Sequence, residues 1–220
     1  MSKTNAGTSD TTFARVASGP SGPNCPPSVS CGFAYWGPQD DIAIDGAGNL
    51  YLIWQGNLTG KPKDPPVAQL SSCSAGADCT SSVNWHYVGR ADDKDATGCA
   101  NGQCYALYPR IEGGAAAGQI GVMWMDDRLG DPLDHTNGWN VWYRTSTTGG
   151  TSWTGPGRRV SQDDPRRSES HPNGFEFPYG DYEGIDLTTR GTAVMVWGEG
   201  HNYVGGPSQP GHVIYSSIVT

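Results

Sequence analysis

Three stretches of the chain carry the same short apolar run closed by tryptophan: Asn49-Leu50-Tyr51-Leu52-Ile53-Trp54, Gln119-Ile120-Gly121-Val122-Met123-Trp124 and Thr192-Ala193-Val194-Met195-Val196-Trp197. Each alternates or is wholly apolar over five or six residues, as strands packed between two layers should be. Before each run lies another extended piece and a Gly- or Thr-rich turn. Ile42-Ala43-Ile44-Asp45 precedes Gly46-Ala47-Gly48, Arg110-Ile111-Glu112 precedes Gly113 to Gly118, and Ile185-Asp186-Leu187 precedes Thr188 to Gly191. A third extended segment follows at Val141-Trp142-Tyr143-Arg144-Thr145 and at Val213-Ile214-Tyr215-Ser216-Ser217. No helical periodicity of useful length interrupts this series.

The three tryptophans stand 70 and 73 residues apart, and self-similarity at a long fixed period marks a repeat architecture. Four short strands per repeat predict an all-β chain of β-propeller blades; the usual blade takes about 40–50 residues, so the excess is expected in loops. The reading places one domain over residues 1–220, with blades at 40–91, 108–162 and 182–220, the last lacking its fourth strand. Thr12 to Ser18 reads as the outer strand of another blade. Known closed propellers have about four to eight blades, so three predict an arc. Either the sequence is part of a longer protein that supplies the remaining blades, or a second copy closes the ring by strand exchange; open sheet edges favour such association.

The stretch from Gly138 to Gln162 reads as a hairpin, with Thr147-Thr148-Gly149-Gly150 as its turn. Its Ser146-x-x-x-Gly150-x-Ser152-Trp153 spacing resembles the Asp-box (BNR) turn of sialidase-type propellers, Ser-x-Asp-x-Gly-x-Thr-Trp, with Thr148 at the Asp position and Ser152 at the Thr position. The resemblance implies an arc of a six-bladed sialidase-like propeller. It implies an exo-glycosidase acting on sialic-acid-type sugars, or part of one, and a carbohydrate or glycoprotein partner. In that family an arginine triad binds the substrate carboxylate and a glutamate-activated tyrosine attacks. Arg110 and Arg128 could supply two of the arginines, and Tyr182 with Glu183 or Glu199 the pair. A non-catalytic propeller module that binds a glycan or a protein is the competing expectation.

Loop lengths indicate where a site should form. Turns from first to second strands and from third to fourth are mostly tight, with an irregular outer hairpin in the first blade, whereas the segments Ser18–Gln39, Gln55–Pro66, Ala91–Tyr108, Met125–Gly138, Gln162–Asp181 and Gly198–Gly211 are long. Strand polarity gathers the long ones on one face, and long ordered loops commonly carry function. Two residues after two of the tryptophans come Asp126 and Glu199, positioned for paired general acid/base work on a glycoside or for satisfying backbone donors at strand ends. Asp181 and His201 extend the same rim as substrate-binding candidates. No cofactor is expected: the acidic loop Asp126 to Asp134 has oxygen ligands enough for Ca²⁺, but it lacks regular ligand spacing, and the expectation is a loop held by Asp–Arg pairs.

A net charge of −8 and a pI near 4.9 argue against a nucleic-acid surface, and no apolar run is long enough to span a bilayer. Six cysteines fall in three close pairs, Cys25 with Cys31, Cys73 with Cys79 and Cys99 with Cys104, which suit local disulfides and hence an oxidising, extracellular setting. Residues 1–20 lack the apolar core of a signal peptide. Nucleophile-elbow, phosphate-loop, dinucleotide and zinc-protease signatures do not occur.

Overall fold

The computed structural model describes residues 39–57, 65–93, 104–129, 140–161, 183–199 and 212–218. Among the described residues, apart from a single 3-10 turn at Ser82–Asn84, the regular structure is all strand. Strands β1 (Asp40–Ile44), β2 (Leu50–Asn57), β3 (Pro66–Cys73) and β4 (His86–Arg90) form the first sheet. The second contains β5 (Ala106–Gly113), β6 (Ile120–Asp126), β7 (Asn140–Ser146) and the two-residue β8 (Arg158–Arg159). Strands β9 (Gly184–Leu187), β10 (Ala193–Glu199) and β11 (His212–Ile218) form the third. Every sheet runs in chain order with antiparallel neighbours. Among the described residues no helix is long and apolar enough to cross a membrane.

Burial explains the sequence patterns. The middle sheet is packed on both faces, so β6 needs no polar alternation and Ile120 to Asp126 are all buried. One face of the middle sheet, with Ile111, Ile120, Val122, Trp124 and Trp142, packs against Ala43, Tyr51, Ile53, Ala68 and Leu70 of the first. Its other face, with Leu107, Met123, Met125, Val141 and Tyr143, packs against Ala193, Met195 and Trp197 of the third. Trp54, Trp124 and Trp197 each take the fifth position of β2, β6 and β10. The latter two are buried, but Trp54, on the face of the first sheet turned away from the second, is only partly covered.

The tight turns share one edge of the arc. Between β1 and β2, the Asp45 carboxylate accepts hydrogen bonds from the backbone N–H groups of Ala47 and Asn49, from Asn49 Nδ2 and from the Tyr51 hydroxyl. It also accepts from Gly118 N of the next sheet at 2.6 Å. Burial works against the charge, yet these donors outweigh it and hold Asp45 below the ordinary carboxylate value. Gly46 N donates to Gly114 O at 2.8 Å, and Gly149 N to Gly118 O at 2.8 Å, so the β1–β2, β5–β6 and β7–β8 turns are tied together.

The hairpin after β7 is organised by Ser146. Its hydroxyl accepts from Thr148 N at 3.0 Å and from Gly150 N at 2.9 Å. At the position where the resembled motif carries aspartate, Thr148 Oγ1 accepts from Ser152 N at 2.9 Å and donates to Ser152 O at 3.1 Å. Gly150 has φ +87°, and a Cβ there would stand 2.4 Å from Leu70 Cδ2. Only glycine fits both the turn and the neighbouring sheet. A disulfide joins Cys73, at the end of β3, to Cys79. Cys104 is also disulfide-bonded; Cys99, its expected partner, and the pair Cys25 and Cys31 lie outside the described residues.

Candidate functional site

Strands β1, β5 and β9 lie side by side as the innermost strands of the three sheets. Their N-terminal ends open onto the edge opposite the tight turns. At this edge β5 is irregular. Its pairing with β6 slips between Leu107 and Arg110, and Tyr108 takes a positive φ of 51° directly before Pro109. A bulky residue in the left-handed region costs roughly 1–3 kcal/mol and persists only where its surroundings enforce it. Here Tyr108 is buried, and its N–H donates to Oε1 of buried Gln55 on the preceding sheet at 3.3 Å. The slip turns Arg110 toward the third sheet.

Arg110 and Glu183, both singled out in the sequence, are brought together. Arg110 Nε donates to the Glu183 carbonyl at 3.2 Å, Nη1 to the Pro109 carbonyl at 3.0 Å, and Nη2 stands 3.5 Å from Glu183 Oε2. The Glu183 side chain is fully enclosed, whereas that of Arg110 keeps 14% exposure at the mouth of the inner strands. On the other side of β5, Asp41 Oδ2 accepts from Ile111 N at 3.1 Å. Each inner strand is therefore tied to the next by a side chain from a rim position.

Asp126 and Arg128 form a second pair, one strand farther from the axis. Asp126 ends β6, and its oxygens accept from Arg128 Nε at 2.9 and 3.0 Å, from Arg128 Nη2, from Trp124 Nε1 at 2.8 Å and from Arg128 N at 3.2 Å. Burial pushes this carboxyl up to about 6, opposed by Arg128 and Trp124. The Arg128 guanidinium lies 3.7 Å over the Trp142 ring, and its Nη1 is 3.5 Å from Asp93 Oδ2. Asp126 and Arg128 are both buried, so this arrangement fixes the loop after β6 to the segment joining the first two sheets. Arg144 strengthens the same seam. It donates to the Ala91 carbonyl at 2.8 Å and lies 4.0 Å over Trp153, and burial lowers its guanidinium to about 10.

The backbone of Glu199 ends β10 opposite His212, the first residue of β11, the same position in its sheet that Asp126 holds against Asn140 in the middle one. Tyr182, Asp181 and His201 lie outside the described residues. In the acidic loop, Asp127 Oδ1 accepts from Tyr105 N at 2.9 Å, and Asp131, Asp134 and His135 again fall outside. No group of three or more potential metal ligands occurs among the described residues. The sequence reading did not single out Gln55, Tyr108 or Asp93. The first two had one signal, a Tyr-Pro pair inside an otherwise regular strand, since proline is confined to strand edges and bulges. Asp93, inside an Asp-Asp pair at a strand end, had none.

No family model matches the chain. No curated protein matches it either. Among solved structures it is similar to an endo-arabinase from Bacteroides thetaiotaomicron VPI-5482, with 12% identity and a TM-score of 0.46 over 87% of this chain and 60% of that one. It is also similar to the α-L-arabinofuranosidase Arb93A from Fusarium graminearum, with 12% identity and a TM-score of 0.36 over 82% of this chain and 45% of that one. The chain thus matches 60% and 45% of the lengths of these two enzymes. Likeness at this level concerns shape and carries no substrate across.

Proposed function

We propose that the mouth formed by β1, β5 and β9 binds carbohydrate, and that the chain is a glycosidase of propeller type or the part of one that holds half of its site. The carrying observation is the Arg110–Glu183 pair, which sets a partly open guanidinium beside an enclosed carboxylate at the axial edge. A guanidinium is the side chain best suited to the carboxylate of an anionic sugar, because its fork donates two parallel hydrogen bonds. In the finer reading the sugar is of sialic-acid type, Arg110 anchors its carboxylate, and Glu183 acts as acid/base with Glu199 and Tyr182 as further candidates. Support for that reading comes from the Ser146 hairpin and its likeness to the Asp-box turn. Export to an extracellular setting accords with the disulfide of Cys73 and Cys79.

A panel of fluorogenic glycosides tests this reading: a sialoside, neutral hexosides and an α-L-arabinofuranoside. Turnover of the sialoside, reduced at least about a hundredfold by Glu183→Gln, is expected for a general acid/base. Turnover of a neutral substrate alone would reject the anionic-sugar assignment, and turnover unaffected by the substitution would reject the residue. A second reading is favoured by burial, since Asp126 and Glu183 are both enclosed. On that reading the mouth recognises a glycan without cleaving it, and the panel shows binding with no release of fluorophore.

A further inference from the structure

We infer that Gln55, on the second strand of the first sheet, is the positioning residue that aims Arg110 into the mouth between the second and third sheets. Between Leu107, opposite Met125, and Arg110, opposite Met123, β5 places two residues, Tyr108 and Pro109, against the single Trp124 of β6. That is a β-bulge, and it shifts the alternation of side chains by one. Leu107 and Arg110 therefore share the face that meets the third sheet, although they stand three positions apart. A strand running regularly on from Leu107 would instead turn Arg110 to the apolar face packed against the first sheet, where a guanidinium has no place. The aim of Arg110 is thus as secure as the bulge.

Local sequence does not secure it. A left-handed residue in a bulge is ordinarily glycine, and a residue before proline is pushed toward extended backbone, so Tyr108 at φ 51° is disfavoured on both counts. Pro109 has no N–H, which leaves the Tyr108 amide as the main-chain donor of the two bulged residues, and Gln55 Oε1 accepts it at 3.3 Å. Gln55 follows Tyr51 and Ile53 at alternate positions of β2 and is 1% exposed. The same place in β6, directly after the tryptophan, is held by Met125 within the apolar core. An amide buried where the next repeat carries methionine costs desolvation unless its hydrogen bonds are made, and here the oxygen meets the donor at the bulge. The backbone of Gln55 is itself held, its N–H donating to the Gln39 carbonyl at 2.7 Å. Gln55 therefore acts on Arg110 through Tyr108 and Pro109, and the first sheet sets the direction of a guanidinium whose partner, Glu183, precedes the inner strand of the third.

Nuclear magnetic resonance of the whole chain carrying isotopically labelled arginine tests this without any ligand. The Nε–H groups of Arg110, Arg128 and Arg144 all donate to protein oxygens, so each gives a signal protected from solvent exchange, and the Arg110 signal is the one that Arg110→Lys removes. Gln55→Met, which keeps the volume and withdraws the acceptor, should lose the Arg110 signal and keep the other two. Gln55→Asn draws the oxygen back by one methylene and should do the same; it decides the matter where the methionine variant does not fold. Gln55→Glu, whose oxygen accepts in either protonation state, should retain all three signals. An Arg110 signal unchanged in Gln55→Met or Gln55→Asn would overturn the inference, as would its loss in Gln55→Glu. Loss of all three signals together would show that Gln55 supports the core at large, and would overturn it equally. The consequence for a ligand rests on the function proposed above: a sialylated sugar should bind Gln55→Met about tenfold or more weakly than the wild type, the worth of one charge-assisted hydrogen bond. A wild-type chain that binds no such sugar rejects that function, while the arginine signals still decide the role of Gln55.

Discussion

Two side chains, Ser146 and Asp45, each organise a turn through hydrogen bonds to several backbone amides. Ser146→Ala leaves the N–H groups of Thr148 and Gly150 without their acceptor in a turn packed against the first sheet. The expected loss is about 1–3 kcal/mol in chemical denaturation, because a buried donor left unmade costs its full desolvation. Asp45 adds a pH dependence. Its folded-state value lies below the ordinary one, so its contribution is present above the unfolded value near ~3.9 and is lost as pH falls through the folded value. Asp45→Asn should cost about 1.5–3 kcal/mol at neutral pH and should flatten the acid limb of the stability profile. A variant whose stability below pH ~4 falls as steeply as the wild type's would contradict that role. The spacing from Ser146 to Gly150 was legible because only certain residues serve such a turn. Asp45 read only as the end of a strand, since its partner Gly118 is distant in sequence and meets it only when two sheets pack.

At the scale of elements, the strands were legible where burial on both faces demands an apolar run, as in β6, and in β10 the same apolar pattern marks a strand although Val194 and Val196 are exposed. Boundaries were less so. β5 begins at Ala106 rather than at 108, because the left-handed Tyr108 lets the chain keep pairing upstream of Pro109. Trp54, alike in sequence to Trp124 and Trp197, differs in exposure for a reason no local pattern contains: its sheet is the first of the described arc. The Cys73–Cys79 bridge staples the irregular connection from β3 to β4, a separation of 6 residues, and so constrains little chain entropy. Replacing both cysteines by serine should cost about 2 kcal/mol or somewhat more, with faster amide exchange confined to 74–90. Faster exchange in β6 and β7 would show that the bridge supports the whole arc instead.

For the molecule as a whole, the repeat of tryptophans and turns gave the order of the sheets, and of the residues that strand polarity assigned to one edge, Arg110 and Glu183 meet there. Asp–Arg pairing in the loop after β6 was legible, and Asp126 with Arg128 realises it. That Arg110 finds Glu183 was not, because it depends on the slip in β5 and on packing between sheets. Arg128, expected beside Arg110 as an anion ligand, instead lies over Trp142 and closes a buried seam. Removing it by Arg128→Ala should leave Asp126 as an uncompensated buried charge and cost about 3–5 kcal/mol, a stability loss read by thermal denaturation.

The central claim is that the axial mouth around Arg110 recognises an anionic sugar, and calorimetric titration tests it most directly. A sialylated oligosaccharide is titrated into the wild-type chain and into Arg110→Lys, with the neutral counterpart of the sugar as control. Lysine keeps the charge and loses the fork, so the account predicts binding of the sialylated sugar alone, weakened about tenfold or more by the substitution while the unfolding temperature is retained. Equal affinity in the two proteins, or binding indifferent to the sugar's charge, would contradict it.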